Sequence, residues 1–351
     1  MDTLEGLNLR KYSPGELKDF TDNFSGTNLF GETQFGKVYR GKTQQGQDVT
    51  LKIWEDVGDF PVGRDEHRSQ LMKECIFLME PSVRHHPNLA KLLGYCCEDT
   101  LLGVVYDLKP LDTVHNLIAK DHFSWLHRVK VAIDLARLLE FLHGVEPPYL
   151  VRNFGPPHIM LDQDYNPVLF DFGIITGGVF GKNQRIPNIF TLGLEGYFDP
   201  TITLTVSWTL SNLYFCSSFV NTRDFLKKRK WLDKNDAYSF GAVLLELISK
   251  RLYERGQMSP NPVFRWANIE YVKKKKKHKK LFFSFGPLKF SVVHGSLEKD
   301  SNFSQKDGYK ITKLGIRCVQ GLSLTSRLKM PEVVQCLLSL DVLRHLNDKG
   351  N

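Results

Sequence analysis

Three short stretches and one lysine carry residue types suited to chemistry on a phosphate. Gly31-Glu32-Thr33-Gln34-Phe35-Gly36 begins and ends in glycine, and a residue without Cβ lets the backbone approach phosphate oxygens closely. Lys52 brings an ammonium, and its bland reading is a solvated surface lysine. Asp171, in Asp171-Phe172-Gly173, brings hard oxygen donors of the kind magnesium prefers. Between them runs Val151-Arg152-Asn153-Phe154-Gly155-Pro156-Pro157-His158-Ile159-Met160-Leu161-Asp162. An amide such as that of Asn153 cannot accept a proton at neutral pH. Imidazole suits zinc, copper or iron better than magnesium. His158 has no clustered ligand beside it in sequence, so it reads as a hydrogen-bonded structural residue rather than a metal site.

These groups need rigid carriers. Leu71, Cys75, Leu78 and Met79 recur at helical spacing, which places Glu74 on a helix. From Phe123 to His143, the residues Val129, Ala132, Ile133, Ala136, Leu139 and Leu142 keep one apolar stripe. That stripe is read as core, not as a cofactor box. Two stretches, Val206–Lys230 and Val272–Ser291, are apolar-aromatic and basic without clear period.

In this order the motifs resemble those of protein kinases. Tyr12-Ser13-Pro14-Gly15-Glu16-Leu17-Lys18 and Thr21-Asp22-Asn23-Phe24-Ser25 are similar to the lead-in of plant receptor-like kinases. Val49-Thr50-Leu51-Lys52 resembles the strand of the phosphate-binding lysine, and the resemblance gives it a carboxylate partner, Glu74 or alternatively Glu80. Leu89–Cys96 and Val104–Pro110 resemble two strands and the hinge, with Tyr106 at the gatekeeper position. Asp236–Ile248, Gly315-Ile316-Arg317-Cys318 and Ser326–Val334 resemble helices of the large lobe. The likeness runs from about Tyr12 to about Leu346 and is strongest to plant receptor-like cytoplasmic kinases. It implies an α+β, bilobal protein-kinase fold with a small β-rich N-lobe and a mostly helical C-lobe. The expected boundaries are an extension at 1–23, an N-lobe at 24–106, a hinge and C-lobe at 107–346 and a tail at 347–351, with atypical inserts near 206–230 and 272–291. For cofactors it implies ATP and Mg2+, held weakly or not at all. Nucleotide would meet Gly31, Gly36, Val38, Lys52 and Glu74 from the small lobe, and Tyr106, Leu108, Met160 and Asp171 beyond it, with Asp171 also the metal ligand.

The departures from the family fall on its chemistry. Asn153 stands where the resemblance expects the general base, whose loss costs about 10²–10⁴ in rate. Gly155 replaces a loop lysine that would stabilise the transferring phosphoryl group, and His158 replaces a metal-binding asparagine. Thr33 adds a Cβ in the glycine loop, which should weaken phosphate contact without destroying the hairpin. Thr201 replaces the glutamate that would pair with Arg327. A buried, unpaired Arg327 would cost about 3–5 kcal/mol and loosen the activation segment unless another partner appeared. Arg152 is kept, and Thr191 is a candidate phosphate acceptor for it.

Composition narrows the class further. The formal net charge is +8, but Lys273–Lys280 holds seven lysines, so the rest of the chain sums to only +1 and a nucleic-acid surface is not supported. That run reads in three ways: contact with anionic lipid at about 1 kcal/mol per residue, a nuclear-import signal, or a solvated loop or translated intron. No apolar run approaches the ~20 residues of a membrane span, no leader opens the chain, Gly is not second as myristoylation requires, and six scattered cysteines fit a reducing compartment. The expected location is cytoplasmic, or at the inner face of the plasma membrane. The leading expectation is a catalytically impaired signalling scaffold or allosteric partner of an active receptor kinase or other signalling protein. The alternatives are a low-activity Ser/Thr kinase that passes the γ-phosphate of ATP to protein hydroxyls, and a membrane-surface binder acting through the lysine run.

Overall fold

The strand that carries Lys52, β4 (Asp48–Trp54), turns successive side chains to opposite faces. Val49, Leu51 and Ile53 join Tyr12, Leu17, Phe20, Tyr39, Cys96 and Val105 in one apolar cluster. The same alternation places Lys52 and Trp54 together on the other face. The computed structural model describes residues 2–56, 62–181, 193–194, 196–197, 199, 231–253, 262–280, 290–320 and 327–343.

Around β4 lie β1 (Arg10–Lys11), β2 (Leu29–Thr33), β3 (Gly36–Lys42), β5 (Leu92–Cys97) and β6 (Leu102–Tyr106), in the spatial order β1-β5-β6-β4-β3-β2. Pairing is antiparallel except between β1 and β5. The β3–β4 register sets Val38 opposite Lys52 and Gly36 opposite Trp54. After a first short helix, α1 (Asp2–Glu5), comes α2 (Pro14–Phe20). A capping box starts α2: Ser13 Oγ accepts from the Glu16 amide at 3.2 Å, while a Glu16 carboxylate oxygen accepts from the Ser13 amide at 2.8 Å. Residues 1–23, expected as an extension, thus supply a strand of the sheet and, through Tyr12, Leu17 and Phe20, part of its core.

Helix α3 (Arg64–Met79) buries Leu71, Cys75 and Leu78 as their spacing requires, and Glu74 with them. Beyond it lie α4 (Val114–Leu117) and a three-stranded sheet of β7 (Asp112–Thr113), β8 (Ile159–Leu161) and β9 (Pro167–Leu169), in that order. The chain divides into two units: residues 1–116 with 145–193, and residues 117–144 with 194–351. The Asn153 and Asp171 segments therefore group with the six-stranded sheet.

The second unit is helical among its described residues: α5 (Trp125–Gly144), α6 (Asp233–Ser249), α7 (Pro262–Lys280), α8 (Gln305–Val319) and α9 (Met330–Leu338). The stripe from Val129 to Leu142 is buried, as its period predicts. Helix α6 is buried from Asn235 to Ser249, so it forms the centre of this unit. Arg128 is also buried; its guanidinium donates to the carbonyls of Ile118, Lys120, Phe123 and Leu247 at 2.6–3.1 Å.

Helix α7 continues through the lysine run, where no helical period was legible. Lysine is a good helix former, and positive charge near a helix C-terminus complements the macrodipole. Lys273 pairs with Glu270 at 3.0 Å. Residues 206–230 and 281–289 lie outside the described residues, as do the side chains of 274–280. Among the described residues no helix is long and apolar enough to cross a membrane, and Cys75, Cys96, Cys97, Cys318 and Cys336 are free thiols.

Candidate functional site

Lys52 is fully buried, and three groups surround its ammonium. Glu74 Oε2 lies 3.3 Å from Nζ, Asp171 Oδ1 forms a direct ion pair, and the Trp54 ring centroid lies 3.7 Å away. Burial without such partners would cost several kcal/mol. Glu74, not Glu80, is the partner: Glu80 is the C-cap of α3. The second oxygen of Glu74 accepts from the Tyr106 hydroxyl and from the Asp171 amide, the latter at 3.0 Å. Burial pushes the Glu74 carboxyl up, against the pull of Lys52 and with a smaller push from Asp171. Burial, followed by the Glu74 and Asp171 charges, drives the Tyr106 phenol well above its ordinary value, so it stays protonated and donates.

Helix α3 also holds the three residues of the Asp171 motif. Glu74 takes the Asp171 amide, Phe172 packs on Phe77 with centroids 4.5 Å apart, and Gly173 lies against Gln70. A Cβ on Gly173 would come within 2.8 Å of Gln70 Cβ, so only glycine allows this approach. Asp171 and Arg152 hold left-handed backbones at φ 67° and 68°. That conformation costs a non-glycine residue about 1–2 kcal/mol. The surrounding contacts maintain this strain.

Asn153 is buried, and its Nδ2 donates to the backbone carbonyl of Asp171. The amide thus ties two segments together from the position where the resemblance expects a base. Gly155 is also buried and has extended backbone, φ −173°, open to any residue type. His158 is buried, with Nδ1 3.6 Å from Asp171 Oδ2 and its ring stacked near Phe170 at 6.2 Å. The ring is thus buried beside a carboxylate, at a distance longer than a hydrogen bond. The donor set at Asp171 is one carboxylate, already paired with Lys52, and one imidazole. No group of three His, Cys, Asp or Glu able to hold a metal occurs among the described residues. Magnesium takes six oxygens, usually one or two from carboxylates and the rest from phosphates and water, so Asp171 would supply only one corner of such a shell.

The other residues expected at the nucleotide have neighbours of their own within the fold. Gly36 is required by its neighbour in the sheet: at φ 150°, a Cβ there would sit 1.9 Å from the Ile53 carbonyl oxygen. Gly31 has open space where a Cβ would go. Thr33 Oγ1 donates to the Gly36 carbonyl at 3.2 Å, closing the hairpin that the sequence expected it to spare. Val38 and Met160 are buried, and the Leu108 carbonyl accepts from Thr50 Oγ1 at 2.9 Å. Arg152 is buried and donates to the Ile174 carbonyl at 3.2 Å; Thr191 lies outside the described residues.

In the second unit, Arg327 has the partner that Thr201 could not provide. Both Nη atoms reach Asp199, and Asn235 Nδ2 donates to the same carboxylate at 2.7 Å. Tyr197 donates to Glu246 at 2.8 Å. Tyr197 and Asp199 are thus held by Glu246 and Asn235 of α6 and by Arg327, the other partner on which the expected loosening depended. Asp199 stands two residues before Thr201 in the sequence. Trp54 was missed altogether, although its i, i+2 spacing from Lys52 was the available signal.

The chain is similar to known proteins over much of its length. Residues 25–184 match the family described as protein tyrosine and serine/threonine kinase. The probable serine/threonine-protein kinase PBL10 of Arabidopsis thaliana is 28% identical over 99% of this chain and 76% of its own length. The probable serine/threonine-protein kinase PBL12 of the same plant is 34% identical over 69% of this chain and 51% of its own. The chain thus spans about three-quarters of one relative and about half of the other. Among solved structures, the pseudokinase domain of BIR2, an immune regulator of the RLK/Pelle family, aligns with a TM-score of 0.62 at 20% identity, covering 95% of this chain and 86% of that one. A likeness at that identity speaks for the fold alone.

Proposed function

Because this chain carries a protein-kinase domain homologous to the plant PBL receptor-like cytoplasmic kinases, we propose that it is a catalytically impaired member acting as a signalling scaffold or allosteric partner of an active receptor kinase. The observation that carries this reading is the bond from Asn153 to the Asp171 carbonyl. An amide used as a structural donor takes no proton from a substrate hydroxyl. Gly155 provides no cation for a transferring phosphoryl group, and His158 is a poor magnesium ligand. Meanwhile the strained loops, the Glu74 pair and the core are in place, which supports a role that uses the fold rather than its turnover. Nucleotide and Mg2+ are held weakly or not at all.

A second reading, a slow Ser/Thr protein kinase, is favoured by one observation: Lys52 and Glu74 remain paired at 3.3 Å. The two readings separate when the purified chain is added to an active receptor-kinase domain. The scaffold reading expects association, and a change in that kinase's turnover, that persist in Lys52→Ala. Loss of both effects in a folded Lys52→Ala protein would favour the enzyme, and no association at all would contradict the scaffold.

A further inference from the structure

We infer that Trp54 is the residue that keeps nucleotide phosphate off Lys52. The inference rests on the kinase-like reading of the site and adds how that site is closed. A lysine ammonium has three hydrogens to donate. Around Lys52 the Glu74 carboxylate, the Asp171 carboxylate and the face of the Trp54 ring occupy three directions. An ammonium 3.7 Å from a ring centroid lies well inside the range of cation–π attraction, which is strongest for tryptophan and grows with desolvation.

The ring is also held in place. Trp54 Nε1 donates to Gln70 Oε1 at 3.1 Å, and Gln70 is fully buried with its Cβ side against Gly173. Trp54 itself is 5% exposed and Lys52 is 0% exposed. Strand geometry brings the two side chains together: residues 52 and 54 share a face of β4, because 51 and 53 are committed to the apolar cluster on the other. A phosphate seeking Lys52 must displace either a carboxylate paired with it or a tethered indole. The two carboxylates belong to the expected kinase machinery. The indole is therefore what closes this chain's site.

The test is calorimetric titration of ATP, without magnesium, into the full-length chain and its Trp54→Leu and Gln70→Met variants, with folding checked by circular dichroism. Trp54→Leu removes the ring, and Gln70→Met removes its tether while keeping side-chain bulk. The expected result is binding at least roughly tenfold tighter in Trp54→Leu than in wild type, a smaller gain in Gln70→Met, and loss of the gain in the Lys52→Ala, Trp54→Leu double variant. Should Trp54→Leu fail to fold, Gln70→Met decides: a gain supports the inference, and no gain overturns it. Wild-type binding as tight as that of the folded variants also overturns it. Phosphotransfer is followed in the same samples. Tight wild-type binding without phosphotransfer removes the Trp54 inference and leaves the impaired-kinase reading standing, whereas phosphotransfer by wild type removes that reading itself.

Discussion

Arg327 presents Nη1 and Nη2 to the two carboxylate oxygens of Asp199, with Nη2 3.2 Å from Oδ1, and both side chains are fully buried. The Tyr238 ring lies 5.2 Å from the guanidinium carbon and the Lys234 carbonyl accepts at 3.2 Å, so the charge is enclosed on several sides. Breaking a buried pair by neutralising one partner costs about 3–5 kcal/mol, because the other charge is left behind. Asp199→Asn should lower unfolding stability by that amount in urea titration. A wild-type midpoint would mean that Arg327 draws its compensation from elsewhere.

Tyr106 should prove a positioning residue for Glu74. Its hydroxyl bonds to the carboxylate oxygen that also takes the Asp171 amide. Tyr106→Phe removes one donor to a buried charged group, an interaction worth about 1.5–3 kcal/mol. The expected outcome is a loss of stability in that range, together with faster amide exchange at Asp171. Unchanged exchange there would show that Glu74 does not depend on Tyr106.

Restoring a carboxylate at position 153 should not restore catalysis. Asn153→Asp replaces the Nδ2 donor with an oxygen facing the Asp171 carbonyl. Two buried acceptors then confront each other, at a cost of about 1–3 kcal/mol. Gly155 and His158 also remain. A radiolabelled autophosphorylation assay should give no signal above wild type, with a lowered melting temperature. A strong signal would mean that a single substitution accounts for the missing chemistry.

Stability should fall on the acid side of neutrality. Burial holds His67, His86, His115 and His127 below their ordinary pKa of 6.5. For His86 the geometry agrees: Nδ1 accepts from the Asn88 amide at 3.2 Å and must be unprotonated to do so. A group depressed in the folded state binds fewer protons than in the unfolded chain. Its contribution is complete above 6.5 and is lost as pH falls through the folded value. The melting temperature should therefore drop as the pH falls below 6.5, and His86→Gln should flatten part of that slope. A slope identical in the variant would exclude His86 as a contributor.

What the sequence made legible was local. The apolar period of α3 placed Glu74, and the stripe of α5 placed a core helix, because helical spacing reads directly from residue order. The Asp171 motif and Lys52 were legible through their resemblance to short kinase motifs. What escaped depends on contacts between distant residues. The Asp199 partner of Arg327 is 128 positions away in sequence. The tether of Trp54 comes from Gln70 on another element, and residues 10–11 join the sheet by pairing with residues 94–95. Gly36 was read for phosphate approach, yet its position is dictated by the Ile53 carbonyl across the strand pair. Helix α7 ran through the lysine run because backbone propensity does not need an apolar period.

The proposed scaffold keeps the kinase fold while its phosphotransfer is impaired. The most direct test is magnesium-dependent transfer of labelled phosphate from ATP, measured for the purified chain beside Lys52→Ala. Incorporation should be no greater than in Lys52→Ala, far below the ~1–100 per second typical of kinases. Incorporation by the wild-type chain that disappears in a folded Lys52→Ala protein would contradict it and establish an active kinase with an atypical loop.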